Sequence, residues 1–284
     1  MMRLQTALFC LFLAFTENSA ANAQSPAPQS AQDVQRLMVN VIYAHSGGIV
    51  RLNGIPIELF GKGDPAGGDS GTLFIGNGLA NFGINGVNTI TVEAKPAGPE
   101  PDSSTELVIL GATADTEQAQ DSIDHPLFRK RIDGAGIIQY SLSLRNVPHR
   151  LFDDATPWRG DPEAVLAAVQ ALHKAFVGRD MKAIAAALRP AFDLMPDAKQ
   201  PGSFDGMIAH FGQSLKGSKV AELQAKLKVE GFYDGRLFRV TDSNGLAPIR
   251  AASIKLGSDG RPDEMLELGQ FWCYCNGVWL PLAD

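Results

Sequence analysis

Residues 161–177 read DPEAVLAAVQALHKAFV, and the spacing of their apolar side chains separates the second part of the chain from the first. Asp161 is a favourable N-cap residue, and Pro162 suits the first position of a helix. Spacings of four, three and four residues place four apolar side chains on one helical face: Val165, Val169, Leu172 and Phe176. The pattern therefore predicts an amphipathic helix that buries this face.

Downstream of this helix the sequence predicts two more helices and then strands. Asp180 is expected to cap a second helix that ends at Leu188 before Pro190, and Ser203 to begin a third. Residues 221–230 alternate apolar and polar side chains, which favours a strand, although their composition also suits a helix. Further strands are predicted at Leu237–Val240, Ile249–Leu256, Met265–Cys275 and Val278–Leu282, with an Asn276-Gly277 hairpin turn before the last. The region 161–284 is thus predicted to be an α+β domain with three helices on an antiparallel sheet.

The preceding region, 37–146, has the short strands and turns that are typical of an all-β sandwich. The Asn53-Gly54 pair predicts a hairpin, and residues 87–93 alternate between two faces. Strands are also predicted at residues 37–43, 72–75, 79–82, 106–110 and 137–144. Residues 147–160 contain two prolines and are predicted to be a linker between two independently packed cores.

The N-terminus has the features of a cleavable signal peptide. Arg3 precedes an apolar run of about a dozen residues, and the Ala21-Asn22-Ala23 sequence suits a cleavage site. We therefore expect a signal peptide at 1–23, a flexible spacer at 24–36, and a periplasmic or secreted mature protein that does not insert stably into a membrane. The formal net charge of −6 argues against nucleic acid as a partner.

Several features of the second region resemble the NTF2-like, or SnoaL-like, superfamily. They are the long helix 161–177 with its short partner 181–188, the Gly231–Leu237 turn, and the final hairpin with Asn276-Gly277-Val278-Trp279. This resemblance implies helices that cover a curled sheet and leave a conical pocket, in a fold that serves both enzymes and binding modules. More weakly, the strand–turn–strand pattern between Arg51 and Val92 resembles bacterial Ig-like or jelly-roll accessory domains.

The candidate pocket residues are two aromatic and two histidine side chains. Trp272 and Tyr274 share one face of a predicted strand, opposite Cys273 and Cys275, and Trp279 is expected across the hairpin from Tyr274. They could line an apolar pocket or pack in the core. His173 suits either a pocket base or a helix-boundary residue, and His210 either a dyad with Asp205 or a surface position.

The two cysteines and the loop at 61–71 leave several interpretations open. Cys273 and Cys275 could be a redox pair, half of a metal site, a local disulfide or packed apolar side chains. The Gly- and Asp-rich loop suits a hairpin loop better than a phosphate or calcium site. An isomerase would need a pocket carboxylate and an oxyanion donor, for which Asp193, Asp205 and Tyr233 are the candidates.

The sequence contains none of the common hydrolase or zinc motifs and predicts no catalytic residue, metal site or cofactor. The leading expectation is an exported, non-enzymatic binding or accessory protein of the periplasm or cell envelope, which recognises a protein or a small apolar ligand. One alternative is a small-molecule hydrolase or isomerase that uses the C-terminal pocket. Another is a structural envelope-assembly protein that forms a homodimer through the C-terminal sheet.

Overall fold

The computed structural model describes residues 31–34, 37–61, 70–98, 102–111, 126–194, 203–255 and 265–282. Strands make up almost half of the described residues, among which lie four α-helices. The fold is therefore rich in β-structure, as expected. The predicted signal peptide, and most of the loop at 61–71, lie outside the described residues.

The N-terminal half, here residues 31–145, contains two sheets and one helix. Sheet A has the strand order β1-β9-β6-β3-β4, and sheet B has the order β5-β2-β7-β8. Its elements are β1 Gln32–Asp33, β2 Leu37–Ala44, β3 Ser46–Leu52, β4 Ile55–Phe60, β5 Ser70–Phe74, α1 Gly76–Phe82, β6 Gly86–Pro96, β7 Ser104–Gly111, β8 Phe128–Asp133 and β9 Gly136–Arg145.

Two predictions for this half are confirmed in detail. Asn53 and Gly54, with φ of 52° and 82°, join β3 to β4 in a tight hairpin. Along β6, Asn88, Ile90 and Val92 are buried, whereas the residues between them are at least partly exposed.

Two other predictions for this half are wrong. Residues 79–82 belong to helix α1 rather than to a strand, and Leu79 and Phe82, three residues apart, are both buried. The prediction was wrong because so short an apolar run does not distinguish a helix from a strand. The spacer also does not extend through 31–34, since β1 pairs in parallel with β9 and Val34 is buried.

The C-terminal half, here residues 161–282, contains three helices and two more sheets. Sheet C has the order β10-β13-β14, and sheet D has the order β11-β12-β15-β16. Its elements are α2 Val165–Val177, α3 Met181–Asp193, α4 Ser203–Lys216, β10 Ser218–Val220, β11 Lys228–Phe232, β12 Leu237–Thr241, β13 Ile249–Ser253, β14 Met265–Leu268, β15 Phe271–Cys275 and β16 Val278–Pro281.

The helix signals are largely confirmed. The Asp161 carboxylate accepts from the Glu163 N–H, and all four residues of the predicted apolar face of α2 are buried. Asp180 caps α3 by accepting from the Ala183 N–H. Helix α3 does not end before Pro190 but continues to Asp193; the proline lies inside the last turn, where its missing N–H costs one i→i−4 hydrogen bond.

The strand predictions were too long in two places. Of residues 221–230, the structure assigns only 228–230 to a strand, because the chain passes here from sheet C to sheet D. The predicted strand 265–275 is two strands, since Gly269, at a φ of 76°, turns the chain between β14 and β15.

Two apolar cores meet at sheet D. One face of this sheet contributes Phe238, Val240 and Trp272 to a core that it shares with α2, α3 and α4. The opposite face contributes Phe271, Cys273 and other side chains to a core that continues into sheets A and B. The prediction of two independently packed cores is therefore wrong, although the predicted domain boundaries stay a prediction.

Candidate functional site

Trp272 and Tyr274 lie on the same face of β15, as predicted, but in different environments. Trp272 is 1% exposed, and its indole N–H donates to Gly269 O within the helix–sheet core. Tyr274 is only partly buried and forms a cluster with Trp158 and Trp279, at ring-centroid distances of 4.7 and 5.2 Å. Trp279 lies directly across the hairpin from Tyr274, as the sequence predicted.

The two candidate histidines lie on different helices, α2 and α4. His173 Nε2 is 2.8 Å from Ala221 O, and since a carbonyl oxygen can only accept, this nitrogen carries the proton. The hydrogen bond ties α2 to the segment after β10. His210 is exposed on α4. Within the described residues, no hydrogen bond or ring contact joins either histidine to Trp272 or Tyr274.

The three residues considered for an isomerase site lie on separate elements. Asp193 is at the end of α3, 3.9 Å from Arg189, and Asp205 is exposed in the first turn of α4. Tyr233 lies in the turn between β11 and β12, where its hydroxyl donates to Phe82 O at the end of α1. Tyr233 therefore links the two halves, and burial raises the pKa of its phenol above the ordinary value.

The turn that contains Tyr233 is held from two sides. Tyr233 and Asp234 have φ of 48° and 58°, an unusual conformation for two successive non-glycine residues. Arg159 donates two hydrogen bonds to the Asp234 carboxylate, at 2.6 and 2.5 Å, and these bonds lower the pKa of Asp234. Phe152 stacks on the Tyr233 ring with centroids 5.2 Å apart. A cleft of about 340 Å³ beside this turn is thus part of the junction between the halves.

Cys273 and Cys275 are free thiols in the core that both halves share. Their sulfur atoms lie 3.4 Å apart, and both side chains are buried. The hydrogen bond with Cys275, together with burial, raises the pKa of the Cys273 thiol. The burial of both thiols fits the interpretation of packed apolar residues, because a reactive thiol needs access to solvent.

A groove along α4 that is lined entirely by described residues could hold a ligand. It has a volume of about 710 Å³ and runs between α4 and the start of α3; we call it the α4 groove. Its middle is formed by apolar or small side chains, and Arg179 and Lys216 lie at one end and Asp205 at the other. The lining residues are Arg179, Met181, Asp205, Ile208, Ala209, Gly212, Gln213, Leu215 and Lys216.

The charges of the α4 groove are separated along the helix. Asp205 lies in the first turn and Lys216 in the last, so about 16 Å of helix axis lies between their Cα atoms. Arg179 donates to Lys216 O and Ser218 O, at 3.3 and 3.1 Å, which fixes its guanidinium at the basic end. The arrangement favours a ligand with an anionic group at this end and an apolar body along α4.

A second cavity of about 470 Å³ adjoins the basic end. It shares Arg179 with the α4 groove and adds Lys219 and the exposed side chains of Val177 and Ile254. Arg179 thus lines both cavities, with Lys216 in one and Lys219 in the other, and these cations stand out in a chain of net charge −6.

Sequence reasoning missed the α4 groove. The sequence does contain a local signal for it. Two small residues on one side of α4, Ala209 and Gly212, lie between Asp205 and Lys216, at successive spacings of four, three and four. By helix propensity alone, Gly212 would only weaken a helix. In the structure it leaves room beside Met181, whose nearest atom would lie 3.8 Å from an added Cβ.

The described residues contain no group of three or more His, Cys, Asp or Glu side chains that could hold a metal ion. No helix in this part of the chain has both the length and the apolar character needed to cross a bilayer.

Comparisons with protein-family models, with curated proteins and with solved structures found no match.

Proposed function

We propose that this chain is an exported, non-catalytic binding protein whose α4 groove takes a small ligand with an anionic head and an apolar body. The observation that carries the proposal is the pairing of Arg179 and Lys216 with the apolar middle of a 710 Å³ groove. This volume lies within the range of small-molecule sites, which are lined mostly by apolar side chains with a few polar groups that fix orientation. The predicted signal peptide supports a periplasmic or secreted location.

The packing between the helices and sheet D supports a binding role over an enzymatic one. An isomerase or hydrolase of this architecture would need an open interior lined with ionisable side chains. Instead, Val169 and Phe176 of α2 are fully buried in the same core as Phe238 and Trp272. We therefore place the ligand on the outer side of the helices.

We further propose that the N-terminal half is a β-sandwich and the C-terminal half an NTF2-like domain. Sheets A and B enclose a common apolar core, and α2 to α4 share a core with one face of sheet D. In this interpretation the usual conical pocket has been filled by large side chains.

Isothermal titration calorimetry of the mature protein with decanoate tests the proposed ligand class. Lys216→Glu reverses one charge at the basic end, so we expect it to weaken decanoate binding by about tenfold or more. Gly212→Phe should abolish binding, since its ring would occupy the middle of the groove. Decanol, which has the same chain but no charge, should bind more weakly than decanoate.

Lys95→Glu is the matched control, because Lys95 is an exposed residue of β6 and the variant changes the net charge equally. It should bind decanoate as the unaltered protein does. Equal weakening by both charge reversals, or binding that survives Gly212→Phe, would show that the α4 groove is not the site.

A further inference from the structure

The edges of the four sheets differ in how they are protected against pairing with another strand. An exposed edge presents unpaired backbone N–H and C=O groups, and natural proteins usually protect it with charged residues or proline. Each sheet has two outermost strands, which gives eight in the described structure; in sheet A, β1 pairs only with Leu144 and Arg145 of β9. Seven of them contain at least one charged residue or proline. One such residue in each strand is Asp33 in β1, Pro56 in β4, Arg129 in β8, Lys219 in β10, Lys228 in β11, Glu267 in β14 and Pro281 in β16.

The eighth edge strand, β5, contains neither a charged residue nor a proline. Its sequence is Ser-Gly-Thr-Leu-Phe, and every residue except Leu73 is exposed. Ile75 donates its N–H to Val39 O at 2.9 Å, which fixes the hydrogen-bonding register between β5 and β2. Since alternate residues of an antiparallel strand direct their backbone groups to opposite sides, Ser70, Thr72 and Phe74 direct theirs away from β2.

An apolar surface adjoins this edge on the outer face of sheet B. Phe74 is 66% exposed and lies opposite Asn40 in the neighbouring strand. Met38 and Ile42, two residues to either side of Asn40, are 40% and 41% exposed on the same face. Pairing at β5 would therefore extend the sheet directly beside this apolar patch.

We propose that a second copy of this chain pairs antiparallel with β5, around a two-fold axis at Thr72. In this register Thr72 lies opposite its own copy, and Phe74 lies opposite Ser70 of the partner. The strand is self-complementary because it contains no charge that would meet its equal across the axis. The two four-stranded B sheets would become one continuous sheet of eight strands. By contrast, each face of sheet D packs against one of the two apolar cores. The homodimer through the C-terminal sheet that the sequence suggested would therefore have no free face of sheet D to use.

Sedimentation velocity of the mature protein over a wide concentration range tests this proposal. We expect a reversible dimer, and Thr72→Lys should raise its dissociation constant by roughly tenfold, because two ammonium groups would face each other at the axis. Ser141→Lys is the matched control: Ser141 is likewise exposed and hydroxylated, but it lies on β9 in sheet A, outside the proposed interface. This variant should dimerise normally.

A cysteine at the axis provides an independent readout. Thr72→Cys should form a disulfide-linked dimer under oxidising conditions, since directly opposed residues of a hydrogen-bonded pair have Cα atoms about 5.5 Å apart. A monomer at all concentrations without this cross-link would overturn the proposal. So would a dimer that Thr72→Lys leaves intact, or a cross-link that forms only to a different protein. None of these outcomes bears on decanoate binding.

Discussion

Phe271→Ala is expected to lower the free energy of unfolding of the whole chain by about 3–5 kcal/mol. Phe271 belongs to the C-terminal half, yet its ring packs on Phe82 of α1 with centroids 4.5 Å apart. It is 2% exposed in the core that contains side chains of both halves. Truncation would therefore leave a cavity at the junction and weaken the N-terminal half as well as the C-terminal half.

Chemical denaturation followed by far-UV circular dichroism measures the loss. Hydrogen exchange can localise it, and faster exchange should extend to β6 and β9 in sheet A. Val278→Ala is the control, since Val278 is half-exposed on β16, the strand that pairs with β15. This variant should change stability little. If exchange in sheet A were unaffected by Phe271→Ala, the junction would not couple the halves.

Trp272→Ala is expected to destabilise the protein by a similar amount, but through the opposite face of sheet D. Trp272 is among the largest fully buried side chains and packs in the core shared with α2, α3 and α4. Its removal deletes the indole volume and leaves Gly269 O without the N–H that it accepts from. Both effects are unfavourable, and loss of a buried aromatic side chain alone costs about 3–5 kcal/mol.

Tyr274→Ala is the matched comparison for this variant, since Tyr274 lies two residues along the same strand face and is only partly buried. Its unfolding midpoint should fall much less than that of Trp272→Ala. Equal falls in the unfolding midpoint of the two variants would mean that Trp272 does not fill the core between the helices and the sheet. The interior would then have room for a pocket.

The helices were predictable from sequence because local signals determine them. Asp161 and Asp180 cap helices through their own carboxylates, and the apolar stripe of α2 needs no knowledge of distant residues. The two hairpin turns at Asn53-Gly54 and Asn276-Gly277 were predictable for the same reason, since their positive φ values favour Asn and Gly.

The arrangement of the cores could not be predicted in this way. The alternation along β15 correctly separated Trp272 from Cys273, but the sequence does not show what covers either face. The apolar side chains of Phe271 and Cys273 meet a partner almost two hundred residues earlier, in α1 and sheets A and B. Such long-range contacts depend on tertiary packing rather than on local propensity.

The histidine and aromatic residues of the predicted pocket are not joined to each other in the structure, for a related reason. Trp272, Tyr274, His173 and His210 were selected by chemical type, whereas a site requires that side chains converge. The α4 groove arises from the relation of α4 to Arg179 and Met181, which lie more than twenty residues earlier in the chain. Only the stripe of small residues between Asp205 and Lys216 gave a local indication of it.

The coupling of the two halves through sheet D is tested most directly by urea unfolding of the mature protein with two simultaneous probes. The three tryptophans, Trp158, Trp272 and Trp279, all lie in the linker or the C-terminal half, so their fluorescence reports on that part of the molecule. Far-UV circular dichroism reports on the strands of both halves. Because the shared core joins them, we predict one transition with the same midpoint for both probes. Two separate transitions, with fluorescence following only one of them, would show that the halves fold independently.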